Sequence, residues 1–208
     1  MYNRYVVVGM VQTNCYVVAA DDSDSCVIID PGAHPGRIAN LVGESGRRPS
    51  AILLTHGHFD HITAVPELIE RYGKDIKIYA SAVERSLLES VDLNCSAMVD
   101  NPVSVSADIY VNDGDIIEEA GLKFKVIATP GHTIGSVCYY IEDENVLFSG
   151  DTLFEMSVGR TDLPTGNGAT LSESIISRLF VLPGEVNVYP GHGAQTDIAF
   201  ERLNNMYV

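Results

Sequence analysis

Histidines that follow predicted β-strands are the first feature of this 208-residue chain that points to chemistry. A neutral imidazole is a good metal ligand near pH 7, and loops at the carboxyl ends of strands in an α/β protein open onto a shared crevice. Side chains that are distant in sequence can therefore converge on one ion. The chain holds six histidines: His34, His56, His58, His61, His132 and His192.

The segment Thr55–His61 is the densest cluster of candidate ligands. His56 and His58 are two positions apart, and Asp60 and His61 follow directly. The intervening Gly57 has no Cβ and eases a tight turn. A single catalytic ion with an open position keeps about three protein ligands, so four ligands on one turn favour two adjacent ions.

Three later motifs supply further ligands to the same expected site. His132 follows a Pro-Gly pair in the segment 129–133, His192 follows another in 189–193, and Asp151 lies in Ser-Gly-Asp-Thr at 149–152. Pro-Gly pairs make sharp, rigid turns. His34 lies in a Pro/Gly turn without a companion ligand, and we assign it an ordinary loop role.

The pattern of the intervening segments is that of a mixed α/β protein. Short β-branched and aromatic runs alternate with segments of helical spacing, and the order of elements in the first half roughly repeats in the second. We expect one domain over residues 1–208, whose two halves meet near 100–110. We also expect sheets inside and helices outside, as a four-layer αββα sandwich.

Composition narrows the possible partners and location. The net charge of −15 would repel nucleic acid and anionic lipid, so we expect neither as a partner. The four cysteines form no CxxC pair, and the apolar runs are strand-sized. These features favour buried free thiols, no membrane span and a cytoplasmic protein with a small-molecule substrate. The oligomeric state is left open.

Five ordered motifs resemble those of the metallo-β-lactamase superfamily, within it the short, single-domain branch of glyoxalase II-like (hydroxyacylglutathione hydrolase-like) proteins. The resemblance covers nearly the whole chain and implies the αββα fold. It rests on Asp30-Pro31-Gly32, Thr55-His56-Gly57-His58-Phe59-Asp60-His61, Thr129-Pro130-Gly131-His132-Thr133-Ile134-Gly135-Ser136, Ser149-Gly150-Asp151-Thr152-Leu153-Phe154 and Tyr189-Pro190-Gly191-His192-Gly193.

The resemblance implies two ligand sets joined by one carboxylate. His56, His58 and His132 would hold the first ion, Asp60, His61 and His192 would hold the second, and Asp151 would bridge them. Asp60 and Asp151 are also the expected catalytic residues. The implied cofactors are two divalent ions, with zinc first and iron or manganese as alternatives, and a hydroxide between the ions is the implied nucleophile.

Four other residues are expected near the ligands or the substrate. Asp30 would accept a hydrogen bond from a ligand imidazole or brace its loop. Arg160, in the Gly-Arg-Thr-Asp stretch typical of short glyoxalase II-like proteins, would brace the site through carboxylate or carbonyl contacts. Phe154 and Met156 would wall the substrate pocket.

The resemblance implies thioester hydrolysis and leaves the thiol carrier open. Full-length glyoxalase II enzymes bind glutathione with an additional C-terminal helical region, whereas this sequence ends 16 residues after His192. We therefore expect weaker glutathione specificity. The alternatives are a persulfide dioxygenase, which uses one ferrous ion, and a lactonase or β-lactamase.

Overall fold

A six-stranded sheet occupies the first half of the computed structural model, which describes residues 1–99 and 101–208. Its first three strands are antiparallel, as predicted, and the next three join in parallel. In sheet order they are β1 (Tyr2–Val8), β2 (Thr13–Ala19), β3 (Ser25–Ile29), β4 (Arg48–Leu53), β5 (Lys77–Ser81) and β6 (Ile109–Val111).

A second six-stranded sheet follows, together with a two-stranded hairpin. Four strands run antiparallel, β7 (Ile116–Glu119), β8 (Leu122–Ala128), β9 (Val137–Ile141) and β10 (Val146–Gly150). The hairpin comprises β11 (Leu153–Phe154) and β12 (Ser157–Val158). Next to β10, β13 (Asn187–Pro190) pairs in parallel, and β14 (Thr196–Asp197) forms the edge.

Strand β9 shows how the layers are held together. All five of its residues are buried, because both faces of the strand are covered. Tyr139 belongs to the large core that both sheets share, whereas Cys138 and Tyr140 belong to a smaller core with residues of the C-terminal helices. Successive side chains of a strand point to opposite faces, so the second sheet lies between the first sheet and helices. The predicted four-layer αββα sandwich is confirmed.

Six α-helices complete the described structure. Asn167 and Asp197 cap the last two helices by accepting hydrogen bonds from the backbone N–H of Thr170 and Phe200, respectively. The helices are α1 (Pro35–Ser45), α2 (Phe59–Ile62), α3 (Val65–Tyr72), α4 (Arg85–Glu89), α5 (Gly168–Ser174), which continues as a π-helical turn over Ile175–Leu179, and α6 (Ile198–Asn204). Among the described residues, none of these helices is long and apolar enough to cross a membrane.

Several predicted elements differ from those observed. The strand expected at residues 110–114, at the start of the second half, is β6 and pairs with β5 in the first sheet. The helix expected over 82–90 begins as a 3-10 turn at Ala82–Glu84, and the hairpin β11–β12 was not predicted. One domain with halves that meet near 100–110 stays a prediction, and Asp100 within that range lies outside the described residues.

Candidate metal centre

Loops that follow four strands bring the predicted ligands together. His56 and His58 follow β4, His132 follows β8, Asp151 follows β10 and His192 follows β13. Asp60 and His61 lie on α2, a single helical turn where the sequence suggested only a loop. Residues up to 136 positions apart thus meet in one place, as expected for ligands grafted on the ends of strands.

Three imidazoles form the first ligand triad. His132 Nε2 lies 2.9 Å from His58 Nδ1 and 3.1 Å from His56 Nε2. Nitrogen ligands at about 2.0–2.1 Å from a tetrahedral ion lie roughly 3.3 Å from one another. The triad is therefore compact enough for one ion to contact all three nitrogens.

Asp60, His61 and His192 form the second triad. Asp60 Oδ2 lies 3.5 Å from His61 Nε2 and 3.2 Å from His192 Nε2. These three ligand atoms all lie within 4.8 Å of one another, as do those of the first triad. A third group of ligand atoms within the same distance limit, from His56, His61 and Asp151, overlaps both triads, so all seven predicted ligands lie in one cluster.

Asp151 lies between the two triads. Its Oδ2 atom is 3.6 Å from His132 Nε2 and 3.5 Å from His192 Nε2. Its Oδ1 atom is 3.3 Å from His61 Nε2. One carboxylate therefore contacts both ligand sets, which is the position a bridging ligand requires.

Buried polar atoms in this cluster lack hydrogen-bond partners. Within the described residues, His58 Nε2, His61 Nε2 and Asp151 Oδ1 are buried and unsatisfied. Such atoms are costly unless another group engages them. Two of them, His61 Nε2 and Asp151 Oδ1, lie 3.3 Å apart within the ligand cluster, whereas His58 contacts the first triad through its other ring nitrogen, Nδ1. The donor set of imidazole and carboxylate groups and these two unsatisfied atoms fit divalent metal ions.

Outer hydrogen bonds fix the tautomers of three ligand histidines. His132 Nδ1 donates to the carbonyl of Arg160 at 2.7 Å, and His61 Nδ1 donates to Asp30 at 2.9 Å. His56 Nδ1 lies 3.1 Å from the Thr55 hydroxyl, which gives its own proton to Asp30. Each outer nitrogen thus carries the hydrogen, so the inner Nε2 atom can present a lone pair to a metal.

Burial keeps two histidines of the first triad, His56 and His58, neutral. Desolvation lowers the pKa of His56 well below its usual value, and neighbouring histidines add to the effect. For His58, burial and the neighbouring His132 lower the pKa to about 3. Neutral imidazole is the form that binds a metal, so these two ligands are preorganised at neutral pH.

Carboxylates dominate the second triad. Burial opposes protonation of His192, but Asp151 and Asp60 outweigh it and raise its pKa to about 9. Burial likewise disfavours charge on His61, yet Asp151, Asp60 and Asp30 raise its pKa well above the usual value. The carboxyl pKa of Asp151 is held well below its usual value despite burial, chiefly by His61. Bound cations would replace the protons on these histidines.

Asp30 supports the ligands from behind. It is buried, and its carboxylate accepts hydrogen bonds from the Thr55 backbone at 2.8 Å, from the Thr55 hydroxyl at 2.6 Å and from His61. The side chain therefore orients one ligand imidazole and braces the loop that carries the others. These are the two alternative functions that the sequence predicts for Asp30.

Glu84 is a supporting residue that no sequence motif identifies. Its buried carboxylate accepts the backbone N–H of Gly57 at 2.9 Å and that of Gly135 at 2.8 Å. Gly57 lies between His56 and His58, and Gly135 lies in the loop that follows His132. Glu84 therefore ties together the two loops that form the first triad.

Side chains from the start of β2 hold the His192 loop. Asn14 donates to the carbonyls of Pro190 and Gly193, and the Tyr16 hydroxyl donates to Pro190. Thr13 donates its hydroxyl to Asp60 Oδ2 at 3.0 Å. No motif marks these residues, because their partners are backbone atoms about 175 positions away or a ligand on another element.

Gly191 permits the closest approach in the centre. A Cβ atom built there would lie 2.2 Å from Asp151 Oδ1 and 2.7 Å from His61 Cε1. Real Cβ atoms do not tolerate such contacts, so the glycine before His192 lets the loop pass directly against two ligands.

A cleft of about 380 Å³ opens onto the ligands. Phe154 lines it, as expected, with its ring centroid 6.1 Å from that of His192. Met156 does not line it: this side chain is exposed at the turn of the β11–β12 hairpin, where a φ of 52° turns the chain. The hairpin places Ser157 and Val158 in the cleft instead.

Arg160 contacts a ligand through its backbone carbonyl, whereas the sequence predicted a contact of its side chain with the site. Its guanidinium pairs with Asp162, with nitrogen–oxygen distances of 2.7 and 2.8 Å, and both side chains are exposed. The pair with Asp162 engages the guanidinium, while the Arg160 carbonyl accepts the His132 hydrogen bond.

His34 occupies the N-cap position of α1, and its Nδ1 accepts the Gly9 N–H at 3.2 Å, which agrees with a loop role.

Comparisons with known proteins agree with this geometry. Residues 8–192 match the family model described as the metallo-beta-lactamase superfamily. A probable metallo-hydrolase of Bacillus subtilis, YqgX, is 39% identical over 99% of this chain and 96% of that protein. The hydroxyacylglutathione hydrolase GloC of Haemophilus influenzae is 32% identical over 95% of this chain and 93% of that protein.

Two solved structures show the same fold. The BLEG-1 B3 metallo-beta-lactamase has a TM-score of 0.92 and 38% identity, with 99% of each chain covered. TTHA1623, solved in a di-iron-bound form, has a TM-score of 0.87 and 36% identity over 99% of this chain and 100% of that chain.

Proposed function

This chain belongs to the metallo-β-lactamase superfamily, and from that membership and its site we propose that it hydrolyses thioesters at a centre of two divalent metal ions. The observation that carries the proposal is the position of Asp151, whose carboxylate contacts both ligand triads. A site for one ion would need only one triad. Here two triads share one carboxylate, which supports a site for two ions.

The proposed ligands form two sets, in agreement with the distances between their ligand atoms. His56, His58 and His132 would hold the first ion, Asp60, His61 and His192 would hold the second, and Asp151 would bridge them. When bound, two such ions would lower the pKa of a shared water from 15.7 toward ~7 and polarise the acyl carbonyl. Asp60 and Asp151 are the proposed catalytic residues because Asp60 is a ligand of the second triad and Asp151 contacts both triads.

The surrounding residues prepare that chemistry. Thr13 donates to Asp60 Oδ2 and fixes the orientation of this carboxylate. Asp30 and the Arg160 carbonyl hold the imidazoles of His61 and His132 so that their inner nitrogens face the site. Phe59 and Phe154 line the cleft and limit the access of bulk water to the acyl group.

Thioester hydrolysis is favoured by the relative with a named substrate class. GloC is named as a hydroxyacylglutathione hydrolase and aligns with this chain over nearly its whole length. The di-iron form of TTHA1623 supports a site for two ions and leaves the metal open between zinc and iron. Manganese remains the third alternative, since imidazole and carboxylate ligands also bind it.

β-Lactam hydrolysis is the second candidate function. The similarity to the BLEG-1 B3 metallo-beta-lactamase over 99% of the chain favours it. Both reactions add water to an acyl carbon, and they differ in the group that leaves. A persulfide dioxygenase or a lactonase remains an alternative on the basis of the motifs.

A substrate panel tests the proposal. The purified protein, loaded in turn with zinc, iron or manganese, would be assayed with S-lactoylglutathione, other acyl thioesters, a lactone, a β-lactam and glutathione persulfide. We expect thioester turnover that requires metal and consumes no oxygen. Oxygen uptake with the persulfide, or turnover of the β-lactam without that of any thioester, would contradict the proposal.

A further inference from the structure

The walls of the cleft are mainly apolar. Apart from the ligands, its lining includes Val11, Phe59, Phe154, Val158 and Leu163. An apolar wall beside a polar reaction centre is typical of a pocket that binds the apolar part of a small substrate and uses the polar groups for orientation.

One basic side chain, that of Arg160, lines this cleft in the described part of the chain. Its guanidinium is engaged by Asp162, since Nε lies 2.7 Å from Oδ1 and Nη2 lies 2.8 Å from Oδ2. This is a bidentate pair, which uses the donors that a substrate carboxylate would otherwise receive. Apart from the ligand histidines, the described lining of the cleft therefore holds no basic side chain other than this paired arginine.

The apolar surface continues outward from the cleft. Met10 is 83% exposed and Met98 is 79% exposed, and together with Val99 they line a neighbouring cavity. Met10 precedes Val11, and the turn that ends at Met98 follows Cys95, which also lines the cleft. Exposed apolar side chains next to a binding cleft often contact ligands.

The overall charge of the protein also favours an uncharged substrate over an anionic one. A net charge of −15 disfavours the approach of an anionic substrate, and this repulsion is long-ranged at low salt. Glutathione carries two carboxylates, for which the cleft offers one arginine that is already paired.

We propose that the cleft selects thioesters with an apolar acyl group and an uncharged thiol carrier, and that Asp162 maintains this preference by pairing with Arg160. The inference rests on the thioesterase function proposed above. In the reaction, the oxygen of water bonds to the acyl carbon as the carbon–sulfur bond breaks. The thiolate keeps the bonding electron pair and takes up one proton of the water, the other proton passes to solvent, and the products are a carboxylate, a free thiol and a proton.

Matched thioesters test the preference. The hexanoyl thioesters of N-acetylcysteamine, which is uncharged, and of glutathione share one acyl group and differ in carrier charge. We expect kcat/KM to be about tenfold higher for the uncharged thioester, the ratio that corresponds to ~1.4 kcal/mol. Added salt should raise kcat/KM for the glutathione thioester through screening and leave that for the uncharged thioester constant.

The variant Asp162→Asn tests the role of the ion pair. Releasing Arg160 should raise the ratio of kcat/KM for the glutathione thioester to that for the uncharged thioester by about threefold or more. Asp113→Asn is the matched control. It makes the same change in net charge and releases Arg178, whose Nη2 donates to both oxygens of Asp113 outside the cleft, so this ratio should stay constant.

The outcomes separate the two proposals. A wild-type preference for the glutathione thioester, or an equal change of the ratio in both variants, would overturn the inference and leave the thioesterase function intact. Hydrolysis of neither thioester by the metal-loaded protein would overturn the proposed function and this inference with it.

Discussion

Asp30 and His61 are joined by a buried hydrogen bond of 2.9 Å between the carboxylate Oδ2 and the imidazole Nδ1. The same oxygen accepts the hydroxyl proton of Thr55, which in turn contacts His56. One carboxylate thus orients a ligand of each triad. It lies at the end of β3, where the backbone φ of Asp30 is 51° and directs the chain into the Pro-Gly turn.

The variant Asp30→Asn should weaken metal binding while the fold is retained. Oδ1 of Asp30 accepts the Thr55 backbone N–H, and Oδ2 accepts the Thr55 hydroxyl and His61 Nδ1. An amide has a single acceptor oxygen, so one of these two positions loses its acceptor. Loss of such an outer partner typically reduces metal affinity by about 10–100-fold. Competition with a chromophoric chelator measures this affinity, and the exposed Asp22→Asn makes the same change in charge as a control. Equal affinities in the two variants would contradict the role given to Asp30.

Glu84 should contribute to the stability of the metal-free protein. In Glu84→Ala the backbone N–H groups of Gly57 and Gly135 lose their acceptor in a buried position. An unsatisfied buried donor costs about 1–3 kcal/mol, so the free energy of unfolding should fall by at least that amount. Urea denaturation measures this free energy of unfolding. Glu84→Gln, which keeps one acceptor, should lie between the alanine variant and the wild type, and a wild-type value for Glu84→Ala would contradict the proposed link between the loops.

The variants Asp60→Ala and His132→Ala should lose metal and turnover together and still fold. Each removes one ligand from a different triad. His132 lies on a loop and Asp60 on a single helical turn, both outside the hydrophobic cores, so these side chains contribute to metal affinity more than to core packing. Elemental analysis and circular dichroism, together with the thioester assay, check the three properties. Full activity in either variant would show that the ligand assignment is wrong.

Metal affinity should rise with pH between about 6.5 and 8.5. The pKa of His192 is raised to about 9, so at neutral pH this imidazole carries a proton that an incoming ion must displace. Below that pKa, metal binding releases this proton, so the apparent metal affinity should rise about tenfold for each pH unit. Apparent dissociation constants at several pH values, with proton release followed in weakly buffered solution, measure the effect. An affinity independent of pH would contradict the assignment of His192 as a ligand.

The α/β class and the places of most strands follow from local patterns. Runs such as that in β3 carry β-branched residues and end at turn-forming residues, so the sequence identifies them directly. The order of the layers was predicted from the family motifs, because the alternation of apolar and polar residues cannot tell which sheet a strand joins. β6 illustrates this limit: its residues look like the start of the second half, but pairing with β5 places them in the first sheet.

The ligand side chains could be selected from sequence because their residue types and motifs are unusual. Their supports could not, since Glu84 and Thr13 act through contacts that depend on the tertiary fold. Arg160 is the opposite case, because it was selected from the sequence for a side-chain contact that the structure does not show. A charged residue next to a site was expected to act through its side chain, but a neighbouring aspartate two positions away engages the guanidinium.

Metal titration of the metal-free protein, with thioester hydrolysis as the readout, tests the central claim most directly. Because Asp151 joins two complete triads, hydrolysis should rise with added metal and reach its maximum at two ions per chain. A maximum at one ion per chain, with no further change on adding a second, would contradict the dinuclear thioesterase proposed for this protein.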